Sequence, residues 1–127
     1  ALDLAFRKGA ISTSVLEAIS KVKANVINLD LANCNLQNEG LSFLTGFREL
    51  RMLKLSSNPI SDLRIVSEYA KLEVLILHNT KVSEDGVKQL IGHPSLRKVY
   101  LWNTLIPKSN IKKLNQEYPS IKWIGES

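Results

Sequence analysis

Apolar residues return along this chain in a fixed order. Val26, Leu29, Leu31 and Leu36 are followed by Leu50, Leu53, Leu55 and Ile60, then by Leu72, Leu75, Leu77 and Val82, then by Leu96, Val99, Leu101 and Ile106. Within each copy a small polar residue or cysteine holds one place: Cys34, Asn58, Thr80 and Thr104. The copies start near residues 26, 50, 72 and 96, and a partial fifth starts near 121 with Ile121 and Ile124. The middle of each copy alternates as x-L-x-L-x, the period of a strand with one buried face.

Between copies the period lengthens to that of a helix. In "VSEDGVKQLIGHP" Ser83 is placed to cap a first turn, and Glu84 and Asp85 suit the positive end of a helix dipole. Val87, Leu90 and Ile91 form one apolar stripe, and Gly92 and Pro94 end it. "ISDLRIVSEYAKL" and "IPKSNIKKLNQEYP" read as helices too, the second with Pro107 tolerated at its opening. "LQNEGLSFLTGF" gives a weaker helix, partly of the 3₁₀ kind. Ahead of the first copy, "SVLEAISKV" has Ser14 and Glu17 spaced as a capping box and predicts a helix covering the first strand's edge.

A strand, a turn and a helix repeated every 22 to 25 residues predict an α/β solenoid. Its parallel sheet would line a concave face and its short helices a convex one. The 127 residues make one domain, with residues 1–25 as a helical cap and 26–127 as the repeats. In the repeated polar place, a small hydrogen-bonding side chain can satisfy backbone groups buried at the turn. Cys34, Asn58, Thr80 and Thr104 are therefore expected to form a structural column, with no activating neighbour for the Cys34 thiol.

The same register assigns the open face. Residues between the core leucines point away from the core: Asn28, Asp30 and Ala32, then Met52, Lys54 and Ser56, with Asp30 and Lys54 able to pair across neighbouring strands. Further along come Val74, Ile76 and His78, then Lys98, Tyr100 and Trp102, and finally Trp123. Thus "VYLWNTLIP" is split, with Val99, Leu101 and Ile106 inward and Tyr100 and Trp102 outward. The C-terminal half of the face gathers Val74, Ile76, His78, Lys98, Tyr100, Trp102 and Trp123 into one patch, the candidate contact surface. Three readings fit such a patch: a binding hot spot, aromatic pairs that stabilise the sheet, or a face covered by another domain.

Composition narrows the function classes. Apolar residues make up 44% and charged residues 23%, with no run long enough to span a membrane. The net charge of +5 is modest. Lys108, Lys112 and Lys113, with Lys88, form a basic patch expected on the convex side, away from the aromatics, so nucleic acid is not the expected partner. A single cysteine excludes an internal disulfide, a cysteine-pair zinc site and a C-x-x-C-H haem attachment. His78 and His93 have no carboxylate or cysteine at ligand spacing, and His93 falls in a helix-ending loop expected to be solvated. No phosphate loop, nucleophile elbow or H-E-x-x-H motif occurs, so neither a cofactor nor an enzymatic activity is expected.

Residues 26 to 127 resemble the leucine-rich repeat superfamily, through the L-x-x-L-x-L-x-x-N/C-x-L pattern set out above. "LILHNTKVSEDGVKQL" and "LRKVYLWNTLIP", with the closing "LNQEYPSIKW", are similar to bacterial repeats at the C-terminal end of multidomain cytochrome-like proteins. The chain departs from those repeats at Leu105, Pro107 and Asn110. The first resemblance implies a short right-handed horseshoe segment. The second implies a fragment whose haem motif lies elsewhere, in a periplasmic or membrane-associated setting. Together the residues and the resemblance lead us to expect a non-catalytic module that binds a protein or peptide through the concave sheet. The alternative expectation is an intramolecular docking domain that meets another domain of the same chain.

Overall fold

The computed structural model describes residues 2–6 and 12–126, without the side chain of Thr13. It is an α/β chain built on one six-stranded sheet whose strands run in sequence order, each parallel to the next. The strands are β1 (Leu2–Ala5), β2 (Val26–Asp30), β3 (Met52–Lys54), β4 (Val74–Ile76), β5 (Lys98–Tyr100) and β6 (Lys122–Ile124). Among the described residues three α-helices, α1 (Thr13–Ser20), α2 (Glu84–Lys88) and α3 (Lys108–Glu117), fall between strands, as do 3₁₀ segments at Asn38–Leu44 and Arg64–Glu68.

The register aligns the recurring leucines. Leu4, Leu29, Leu53, Leu75 and Val99 lie side by side across the sheet, and from Leu29 onward this row is closed to solvent. Leu31, Leu55, Leu77 and Leu101 form a second buried row, and their amides extend the ladder beyond the strands by donating to Lys54, Ile76, Tyr100 and Ile124 carbonyls. The core is completed by side chains from the connecting segments, among them Leu41, Leu44, Val66, Val87, Ile111 and Leu114. These cover one face of the sheet. The opposite face keeps partly exposed side chains from every strand.

The turn after β2 holds Asn35 at φ 50°, and each turn after β2 to β5 uses a left-handed residue, Asn33, Ser57, Asn79 or Asn103, with φ between 54° and 58°. The place falls directly before the polar column, and asparagine tolerates this conformation better than most residues carrying a Cβ. Column residues then take up the freed backbone groups. Asn58 is the fullest case: its Oδ1 accepts from the Cys34 and Leu36 amides, and its Nδ2 donates to the Leu31, Leu55 and Ser56 carbonyls. Thr80 and Thr104 donate only to the Leu77 and Leu101 carbonyls of their own turns, at 2.6 and 2.9 Å. The Cys34 thiol donates back to the Phe6 carbonyl at 3.2 Å, as Asn58 does to that of Leu31. Burial and the nearby Asp30 carboxylate push that thiol's pKa up, so it stays a protonated donor.

Several expectations are corrected here. Residues 1–25 are more than a helical cap, because β1 pairs with β2 and takes the edge position that helix α1 was expected to cover. The cap of α1 is Ser12, whose Oγ accepts from the Val15 amide at 3.3 Å, in place of Ser14. The segment "ISDLRIVSEYAKL" forms a 3₁₀ helix, Arg64–Glu68, instead of an α-helix. Its buried residues explain why: Leu63, Val66, Tyr69 and Leu72 are spaced by three, as are Leu41, Leu44, Phe47 and Leu50 in the preceding connection. A three-residue period suits a 3₁₀ turn, where positions i and i+3 eclipse. In contrast α3 forms where expected, and α2 starts where expected, with the Ser83 Oγ accepting from the Gly86 amide, but ends at Lys88, before the Leu90 and Ile91 of the expected stripe. No helix among the described residues is long and apolar enough to cross a membrane.

Candidate interaction surface

The open face is ordered in rows by strand register. One row runs Asp3, Asn28, Met52, Val74, Lys98, Lys122, and the next runs Ala5, Asp30, Lys54, Ile76, Tyr100, Ile124. A third position, just past the strands, holds His78 and Trp102, aligned because the Asn79 amide donates to the Trp102 carbonyl. Val74, Ile76, His78, Tyr100 and Trp102 are half-buried and Lys98 is exposed, so six of the seven expected patch residues do share this face.

Trp123 does not. It pairs in register with Val99, a core position, and only 2% of it is exposed. The last unit is one residue shorter than the others between its first apolar residue and its strand, and a slip of one turns every side chain to the other face. Lys122 and Ile124 consequently occupy the open face in its place. The indole N–H of Trp123 donates to the Tyr118 carbonyl at 3.1 Å, and its backbone is held at both ends by the Asn115 side chain, at 2.8 and 2.9 Å. Trp123 closes the C-terminal end of the core.

Within the patch, aromatic rings engage one another. His78 stacks on Trp102 with centroids 4.2 Å apart and planes within 9°. Tyr100 meets Trp102 edge to face at 5.8 Å. Adjacent strands place such rings about 4.8 Å apart, close to stacking distance. The stack shuts His78 Nδ1 from solvent without giving it a hydrogen-bond partner among the described residues. A proton arriving there would meet no acceptor. Burial, assisted by the positive charge of Lys54, accordingly pulls the His78 pKa below its ordinary value.

This gives a pH signature. Because the native pKa lies below the unfolded value of about 6.5, the unfolded chain binds more protons between the two. Stability contributed by neutral His78 is present above about pH 6.5 and is lost as pH falls through the window down to the native pKa. An NMR titration of the His78 ring is expected to show a midpoint below 6.5, and a midpoint at or above it would contradict the stacked, desolvated geometry.

Other expected features are placed differently. Asp30 and Lys54 are neighbours in register but form no ion pair, since the Asp30 carboxylate accepts from the Ala32 amide at 3.0 Å. His93 is half-buried where a solvated ring was expected: its Nδ1 accepts from the Ser95 and Leu96 amides at 3.2 and 3.1 Å, and its Nε2 is enclosed. It caps the turn leading into β5. Of the lysines expected on a convex side, Lys88 pairs with Glu84 and Lys108 with Glu126. Among the described residues, no three His, Cys, Asp or Glu side chains come together in a way that could hold a metal ion. Sequence reasoning left Lys122 and Ile124 out of the open face, and the alternation of "IKWIG" carried no signal for them, since both Trp123 and Ile124 are apolar.

At the opposite end of the sheet, Leu4, Phe6, Val15, Ala18, Ile19 and Val22 line an apolar groove between β1 and α1. It is distant in the strand order from the aromatic patch.

Fold and surface together define an α/β protein with an all-parallel sheet, one face of which is packed and the other open and aromatic at one end. In comparison with known proteins, no family model matches the sequence, and no curated protein matches it significantly.

Proposed function

We propose that this chain is a non-catalytic protein-interaction module of the leucine-rich repeat kind, a short horseshoe segment that binds a protein or peptide on the C-terminal half of its open sheet. The observation that carries this reading is the cluster of Ile76, His78, Tyr100 and Trp102, half-buried on a face that the packing of the core does not use. The leucine-rich repeat assignment is supported by the aligned leucine rows and the repeated left-handed turn followed by a column residue. Large aromatic side chains held in place by neighbours lose little freedom on binding, which is why they dominate the energetics of interfaces.

The test is a selection of random dodecapeptides on the intact chain, followed by titration of the enriched peptides against Trp102→Ala. Affinity is expected to fall tenfold or more, the effect of removing an anchor worth about 1.4 kcal/mol or more. Thermal unfolding of the variant should stay close to the parent, with a loss of about 1 kcal/mol from the broken aromatic pairs. Enriched peptides that bind Trp102→Ala as tightly as the parent would refute the assignment of this face.

A further inference from the structure

Charge on the open face is segregated. Among the described residues, its two carboxylates, Asp3 and Asp30, lie on β1 and β2, and both are engaged, by the Asn28 side chain and the Ala32 amide. Within strands β3 to β6 the face carries Lys54, Lys98 and Lys122 and no acid, and the next acid in register, Glu126 past β6, is paired with Lys108. All of the ion pairs among the described residues lie elsewhere: Arg51 with Glu73, Arg64 with Asp62, and Lys71, Lys88 and Lys108 with their glutamates. Three ammonium groups therefore flank the aromatic cluster without an ion pair to any of the described residues. Resting on the function proposed above, we infer that the partner is an acidic, extended peptide segment, with an apolar side chain seated by Tyr100 and Trp102 and carboxylates reaching the lysines.

The dimensions agree with an extended segment. Crossing from β3 to β6 covers three inter-strand spacings, about 14 Å, which four or five extended residues span. Lysine and aromatics interleaved on one surface also suit a single-stranded nucleic acid, whose bases stack on open ring faces. Here one face of Trp102 is taken by His78 and Tyr100 adds an edge contact, so the rings have already spent much of that capacity on one another. This favours insertion of an apolar side chain beside the rings over stacking of bases between them. Electrostatic attraction of this kind acts chiefly on the association rate and is weakened by salt.

The experiment compares Trp102-dependent dodecapeptides from the random library with synthetic copies in which every Asp and Glu is replaced by its amide. Both are titrated against the intact parent chain and against a Lys98→Gln, Lys122→Gln double variant. The Trp102-dependent binders should be enriched in acidic residues. Amidation should weaken them at least tenfold on the parent, and the double variant should bind acidic peptides at least fivefold more weakly while leaving the amidated copies unchanged. Neutral or basic binders that depend on Trp102 would overturn the inference while leaving the proposed face intact. A complete absence of Trp102-dependent binders would overturn both. Binding of oligothymidylate that is tighter than that of the acidic peptides and lost in Trp102→Ala would replace the peptide by a single strand.

Discussion

Trp123→Ala is expected to destabilise the fold by about 3–5 kcal/mol, the range for deleting a large aromatic side chain from a core. Nearly all of the side chain is enclosed, and it is the last large residue of the core before the edge strand ends. The substitution leaves a cavity under β6 and strips the Tyr118 carbonyl of its indole donor. The comparison that gives this meaning is Trp102→Ala, which removes the same side chain from the open face and should lose only about 1 kcal/mol. Urea unfolding of the two variants reads the difference directly. Equal losses, or a loss below about 1 kcal/mol for Trp123→Ala, would mean that the two indoles are not divided between core and face as described.

The second large effect is expected at Asn58. Replacing it with alanine withdraws five hydrogen bonds at once and leaves the Cys34 and Leu36 amides and the Leu31 and Leu55 carbonyls without that partner in a closed environment, while the Ser56 carbonyl keeps the Asn33 amide. Each buried group left without a partner costs about 1–3 kcal/mol, and entering water recovers part of that, so a net loss of about 3–4 kcal/mol is expected. Asn58→Thr supplies the donor that Thr80 and Thr104 use at the same place, to the carbonyl of its own turn. It should therefore fall between the parent and Asn58→Ala. If alanine and threonine were equally destabilising, the loss would come from volume and not from the hydrogen bonds of the column.

How far the sequence reveals these features depends on how regular the chain is at each point. Asn58 and the leucines of β2 to β5 follow an unbroken spacing, so their places could be read without coordinates. Tyr100 and Trp102 could be assigned to the open face for the same reason. At Trp123 the spacing shortens by one residue, and with Ile124 beside it neither hydropathy nor alternation marks which of the two turns inward. Strand β1 was hidden because "LDLA" is short and shows only the alternation of Leu2 and Leu4, without the full repeat that follows it. The Arg64–Glu68 segment reads as an α-helix in sequence because apolar residues three apart also satisfy the broad stripe of an α-helix. His93 could not be placed from its neighbours in sequence, since its role depends on the turn that brings the Ser95 and Leu96 amides to its ring.

These corrections sharpen the candidate surface. Moving Trp123 into the core removes one aromatic from the patch, and Lys122 and Ile124 replace it with a cation and an aliphatic side chain. The face that remains is smaller and more basic at its C-terminal end than the repeat pattern alone suggested. Its aromatic centre is tied together across two strands by the His78 and Trp102 stack, which fixes the ring positions before any partner arrives.

The two tryptophans provide the most direct measurement. In a nitrogen-15 correlation spectrum the intact chain shows one indole N–H resonance for Trp102 and one for Trp123, assignable by single substitution. On titration with a library-selected peptide, the Trp102 indole is expected to shift together with the amides of Ile76, His78 and Tyr100, while the Trp123 indole stays in place. Shifts confined to α2, α3 or the 3₁₀ segments, with the Trp102 indole unmoved, would contradict the assignment of the open sheet as the binding face.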